Sequence, residues 1–301
     1  MLQNNHQQCH SHQRHLLPKR IILVRHGESE GNLNTGAYAT TPDNKIPLTP
    51  DGIHQGRSCG ARLRSLLSGS ANDYRVYFYV SPYERTRSTL REIGRSFSRK
   101  RIIGVREECR IREQDFGNFQ IIEPSERFVT HTIGNQLIFA DFLESLWRDI
   151  DLHRLQHDPS QELNLIIVSH GLTSRVFLMK WFKWTVEQFE HLNNPGNCET
   201  RVMHLGEGGE YSLAIHHTDQ EMLEWGLSPE MIADQKWRAH ATRGEWNENC
   251  PWYLDEFFDH LMIDSEDDEK ENDAEYSDAN CASESSSSMI RPVDSCLKIQ
   301  E

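Results

Sequence analysis

Three short runs bring together residue types that can act on a phosphate group: Arg25-His26-Gly27-Glu28-Ser29, Ser81-Pro82-Tyr83-Glu84-Arg85-Thr86-Arg87 and Ser169-His170-Gly171. An imidazole is nucleophilic near neutral pH, because much of it is unprotonated around its ordinary pKa of about 6.5. Histidine can therefore accept a phosphoryl group covalently. The equatorial oxygens of that group are negatively charged, and guanidiniums offer them several fixed donors, which suits arginine to the task better than lysine. Glycines beside the two histidines, Gly27 and Gly171, let backbone approach the phosphate closely. Taken alone, a Ser-His-Gly after a strand is more often structural than functional, so the case depends on whether the three runs meet.

The surrounding pattern predicts that they do. Lys19-Arg20-Ile21-Ile22-Leu23-Val24 is a short apolar run rich in β-branched residues and reads as a buried strand ending at Arg25-His26-Gly27. Thr49-Pro50-Asp51 supplies an N-cap, a proline at the first helical position and an acid at the positive end of the helix dipole, so a helix is predicted over about 50–67. Val76 to Val80 reads as a second buried strand, broken by Ser81-Pro82 and followed by a helix over about 83–98. Further elements follow: a short strand at 101–105, a helix at 137–157, a strand from Leu163 to Val168, a helix at 172–183, and a last helix at 228–240. Runs at about 199–205 and 211–217 flank Gly206-Glu207-Gly208-Gly209 and read as a hairpin at a sheet edge. This alternation predicts a three-layer α/β/α fold with a mostly parallel sheet and one antiparallel edge strand. In such a sheet ligands bind beyond the carboxyl ends of the strands, where the three runs fall.

The residues reach a known pattern here. Leu23-Val24-Arg25-His26-Gly27-Glu28-Ser29-Glu30-Gly31-Asn32 resembles the signature of the histidine phosphatase superfamily, in its phosphoglycerate mutase-like branch. The likeness spans about residues 20–217 and is greatest to plant and fungal phosphoglycerate mutase-like proteins and broad-range acid phosphatases. It implies that His26 is the phosphorylated nucleophile, that Arg25, Arg85 and Asn32 hold the phosphate, and that His170, protonated, stabilises the phosphoryl group beside Gly171. Arg87 is expected on the helix surface. In Ile111-Arg112-Glu113-Gln114-Asp115-Phe116-Gly117 the resemblance implies that Glu113 is the general acid that protonates the leaving oxygen, with Glu108 and Asp115 as competitors. Between about Gln120 and Ala140 the sequence departs from the pattern, lacking the Gly-Glu-Ser or Gly-Glu-Thr that would face the pocket, and the pattern resumes at Asp141-Phe142-Leu143. The implied activity is hydrolysis of phosphate monoesters through a phosphohistidine. The alternatives are mutase-type phosphoryl transfer and a catalytically weak scaffold.

Composition bounds these readings. With 301 residues, 37% of them apolar, the chain can bury one α/β core. Of the net charge of -14, residues 251–301 contribute -12 through 15 acids and 3 bases, leaving the body near neutral. That balance argues against nonspecific nucleic-acid binding. The organisation expected is a flexible Gln/His-rich arm at 1–18, a catalytic domain at 19–245 and an acidic, serine-rich disordered tail at 262–301. His6, His10, His12 and His15 with Cys9 fit no standard ligand spacing, so neither a metal nor another cofactor is expected. Seven scattered cysteines without a Cys-x-x-Cys pair fit a reducing, cytoplasmic setting, and no run approaches the roughly 18 apolar residues of a membrane span. The expected partner is a small phosphorylated substrate, and the sequence carries no signal for oligomeric state.

Overall fold

The computed structural model describes residues 17–70, 73–113, 141–150, 158 and 160–241. Most of the arm, the acidic tail, the divergent segment at 120–140 and the ends of the helix read at 137–157 lie outside the described residues. Six strands form one sheet in the order β3-β2-β4-β1-β5-β6. They are β1 (Arg20–Arg25), β2 (Tyr74–Val80), β3 (Ile102–Glu107), β4 (Glu162–Ser169), β5 (Thr200–Leu205) and β6 (Tyr211–Ser212). Strands β1 to β4 are mutually parallel, β5 runs antiparallel to β1, and β6 turns back against β5. The hairpin anticipated at the sheet edge is therefore present, although its second run pairs over two residues only. After Ser212 the chain coils into a turn, with the His216 and His217 amides both donating to the Leu213 carbonyl, so the rest of that run has no backbone left for a ladder.

The central strands β1 and β4 carry uninterrupted apolar runs, Ile21 to Val24 and Leu165 to Val168, because both faces of the sheet are covered there, whereas the edge strand β3 is partly exposed. Ile21 and Leu23 point into one core, where Leu165, Ile167, Phe142, Leu146, Phe177 and Met231 join them. Ile22 and Val24 point into the other, with Val76, Phe78, Ile166, Val168, Cys59, Leu63 and Ile93. This is the two-residue period of a pleated strand, and it sorts the helices into layers. On the second face lie α1 (Pro50–Ser70) and α2 (Glu84–Gly94); on the first lie α3 (residues 141–150), α4 (Gly171–Phe182) and α5 (Pro229–His240). Each fully buried aliphatic side chain contributes about 1.5–3 kcal/mol. Thr49 caps α1 as its sequence predicts, its hydroxyl accepting from the Gly52 amide at 3.0 Å. Ser228 caps α5 in the same way through the Met231 amide, with Pro229 opening the helix.

Candidate active site

The site is assembled by register. In the parallel pair β1/β4, Arg25 stands opposite Ser169, and in β2/β4, Val80 stands opposite Val168. The ladder continues one step past the strands: the His26 amide donates to the Ser169 carbonyl at 2.9 Å and the Ser81 amide to the Val168 carbonyl at 3.1 Å. The first residue beyond each strand is thus His26, His170 or Ser81. The two imidazole centroids lie 5.2 Å apart, and the three runs do converge.

His26 is buried, and its Nδ1 lies 2.7 Å from the carbonyl of Gly27. A carbonyl can only accept, so Nδ1 bears the proton and Nε2 keeps its lone pair. Burial pushes the His26 pKa down to about 3, with Arg85 and then Arg25 adding to the depression and the Gly27 carbonyl opposing it. The imidazole is therefore neutral throughout the physiological range. The loop that bears it is clamped from several sides. The Gly27 amide donates to Thr89 Oγ1 at 2.9 Å, and Asn197 Nδ2 donates to the His26 carbonyl at 3.1 Å. The Cys198 amide reaches both the Arg25 and the His26 carbonyls, with Cys198 itself in the left-handed region at φ 54°.

His170 is fully buried at the N-cap of α4, where the positive end of the helix dipole favours an anion. Its Nε2 is 2.8 Å from Ser81 Oγ and its Nδ1 is 3.6 Å from Glu113 Oε2. Burial, then the neighbouring His26, Arg85 and Arg25, hold its pKa well below the usual histidine value. The protein's own groups thus work against protonation of His170, and the protonated form implied by the resemblance would draw its support from a bound anion. Gly171 opens α4, and a Cβ there would come within 3.1 Å of Asn194 Oδ1, so a side chain is poorly accommodated.

Arg85 is buried in the first turn of α2, its guanidinium 4.8 Å from the centroid of the Tyr83 ring. Arg25 is partly buried and donates from Nη1 to the Pro195 carbonyl at 2.6 Å, and burial lowers its pKa. Asn32 is exposed at the rim. Its Oδ1 accepts from the Ser29 amide at 3.0 Å and from Asn197 Nδ2 at 3.2 Å, so its oxygen is engaged by the loop rather than its nitrogen. Arg87 lies on the helix surface, paired with Glu107 at 2.6 Å. Of the competitors to Glu113, Glu108 is consumed by Arg110 at 2.7 Å and Asp115 lies outside the described residues. Sequence reasoning did not foresee Thr89, Asn197, Cys198, Tyr38 or Asp43 at the site. Each acts through contacts dozens of residues apart in sequence. Among the described residues no group of three or more His, Cys, Asp or Glu side chains could hold a metal ion.

Residues 21–132 match the family described as the histidine phosphatase superfamily (branch 1). The chain is 66% identical over 269 residues to phosphoglycerate mutase-like protein AT74 of Arabidopsis thaliana, covering 83% of this chain and 85% of that protein. The chain belongs to the histidine phosphatase superfamily. A second Arabidopsis thaliana relative, phosphoglycerate mutase-like protein AT74H, is 58% identical over 85% of this chain and 98% of its own length. The broad-range acid phosphatase DET1 of Saccharomyces cerevisiae is 27% identical over 63% of this chain and 86% of its own. In this superfamily member His26 and His170 lie side by side at the strand ends, with Glu113 beside His170 and both Arg85 and Arg25 acting electrostatically on the two rings, and no helix among the described residues is long and apolar enough to cross a membrane.

Proposed function

We propose that this protein hydrolyses phosphate monoesters through a phosphohistidine formed on His26. The observation that carries the reading is the tautomer: Nδ1 is tied to the Gly27 carbonyl, so Nε2 presents an unprotonated lone pair beside His170. In the first step Nε2 attacks phosphorus and the bond from phosphorus to the ester oxygen breaks. The proton stays on Nδ1, still donated to the Gly27 carbonyl, which supports the positive charge that develops on the ring. Glu113, protonated, gives its proton to the departing alkoxide, which is otherwise a poor leaving group. In the second step water attacks phosphorus while Glu113 takes one of its protons, the phosphorus–nitrogen bond breaks, and His26 is restored with inorganic phosphate released. Arg25 and Arg85 balance the equatorial charge throughout. The incoming phosphoryl group brings the negative charge that favours an imidazolium at His170, opposing the downward shift caused by burial and the neighbouring His26, Arg85 and Arg25.

The name of the yeast relative supports hydrolysis as the net reaction. We assign the catalytic domain to 19–245, flanked by the arm at 1–18 and the acidic tail at 262–301. Cys59, Cys109 and Cys198 are free thiols, which supports a reducing, cytoplasmic setting. The test is to mix the protein with substrate, quench under alkaline conditions that preserve phosphoramidates, and map the label by mass spectrometry. Label on His26 and loss of turnover in His26→Ala are expected. Label on a serine or cysteine, or normal turnover in the variant, overturns the mechanism.

A further inference from the structure

Arg85 bears a contact that phosphate binding does not require. Its Nη1 donates to the carboxylate and to the backbone carbonyl of Asp43, each at 2.7 Å. The arginine side chain is 3% exposed and the aspartate 16%. Asp43 is held in place by the turn Asp43–Lys45, which is pinned by Ile46, buried at 0% exposure. Displacing the carboxylate from Arg85 would strand a poorly solvated charge, so an incoming phosphate meets the other donors of the guanidinium while Asp43 stays where it is. Arg85, Asp43, Glu113 and Arg25 all act electrostatically on the half-buried Tyr38 hydroxyl. The Asp43 carboxylate is thus a fixed negative charge beside Arg85 and within electrostatic reach of the Tyr38 phenol.

A phosphate dianion already uses both arginines. A second anionic group close to the ester would be repelled by the carboxylate of Asp43, whereas an alcohol hydroxyl could donate to that carboxylate and accept from Tyr38. Building on the phosphatase reading, we propose that Asp43 and Tyr38 form the alcohol side of the site and select phosphate monoesters of neutral, hydroxylated alcohols over those with a carboxylate or second phosphate beside the ester. Asp43 determines specificity here through its fixed charge, and holds Arg85 in position as it does so.

Glycerol 3-phosphate and 3-phosphoglycerate test this, since they differ mainly in a hydroxymethyl group against a carboxylate. Their ratio is measured on the full-length protein as kcat/KM, and again as calorimetric Kd in the His26→Ala background, where nothing is turned over. A unit charge about 6 Å away, at an effective dielectric of about 40, changes affinity about tenfold. The wild type should favour glycerol 3-phosphate about tenfold or more. Asp43→Asn keeps an acceptor for Arg85 and should shrink the ratio about tenfold by improving the carboxylated compound, while Asp43→Glu should largely retain it. Tyr38→Phe should weaken glycerol 3-phosphate about threefold and leave 3-phosphoglycerate nearly unaffected. A wild-type preference for the carboxylate, or a ratio unmoved by Asp43→Asn, overturns the proposal. If neither compound is hydrolysed, the phosphatase reading fails while the binding ratio still decides the role of Asp43.

Discussion

Gly27 offers a direct way to perturb the proposed nucleophile, His26, without touching it. An alanine Cβ at this position would sit 2.5 Å from the Gly52 carbonyl oxygen and 3.1 Å from its Cα. Both are backbone atoms at the start of α1, and Gly52 is just as close on its own side, since a Cβ there would fall 2.0 Å from the Glu28 carbonyl oxygen. Ordinary contact needs 3.4 Å, so the loop must retreat by about 0.9 Å, carrying His26 with it. Misplacing a reacting group by about 1 Å can cost about 10²-fold in rate, and overpacking of this kind typically costs about 1–3 kcal/mol. Gly27→Ala should therefore lower kcat about 10²-fold, with stability in urea falling by about 1–3 kcal/mol and the fold intact by circular dichroism. Gly69→Ala, near the end of the same helix with nothing within 4 Å, is the control. It should leave kcat unchanged and raise stability by up to about 1 kcal/mol, because alanine is the better helix former. If Gly27→Ala retained kcat within about threefold of wild type, either the loop is not held against α1 or His26 is not the attacking group.

Glu113→Gln should cost about 10²–10⁴-fold in kcat on alkyl phosphates and less than about tenfold on p-nitrophenyl phosphate, whose leaving group needs no proton; equal losses on both would remove Glu113 from the acid's role. The depressed pKa of His26, about 3, against an unfolded value of about 6.5, has a definite sign: its contribution is fully present above pH 6.5 and is lost as pH falls towards 3. Urea titrations should show about 2 kcal/mol less stability at pH 5 than at pH 7 from this residue alone, whereas a flat profile would mean that the folded site takes up the proton. Because two arginines provide the positive charge for the phosphate, turnover should survive exhaustive treatment with EDTA. Loss on chelation followed by recovery with a divalent ion would refute that expectation.

Strand positions were legible because burial on both faces leaves an uninterrupted apolar run, as in Ile21 to Val24, and because punctuation such as Ser81-Pro82 marks where each run stops. The capped start of α1 was legible for the same local reason. The short helical turns Glu30–Leu33, Ala37–Thr40, Val186–Glu190 and Asp219–Glu224 were not, since four to six residues hold less than two turns and give no measurable period. His26, His170 and Arg85 stood out by their position after strands. Asp43 did not, because the ion pair with Arg85 joins residues 42 apart and leaves no trace in local pattern. Cys59 and Cys198 looked scattered, yet both are buried in the same core, and the Cys198 amide holds the loop that bears His26. Such partnerships are decided by tertiary packing, which a sequence encodes only collectively.

The matched register of β1 and β4 has a consequence for how this site can vary. The spacing of the two imidazoles is inherited from the hydrogen-bond ladder of the central strands, so it is as stiff as the middle of the sheet. Thermal motion at the rim, or wholesale replacement of the segments around the mouth, leaves that spacing untouched. Inserting or deleting one residue within either strand would do the opposite: it would turn the following histidine to the other face and exchange the two cores at once. The molecule thus separates what must stay constant, the spacing of the two histidines, from what is free to drift, the side chains around the mouth.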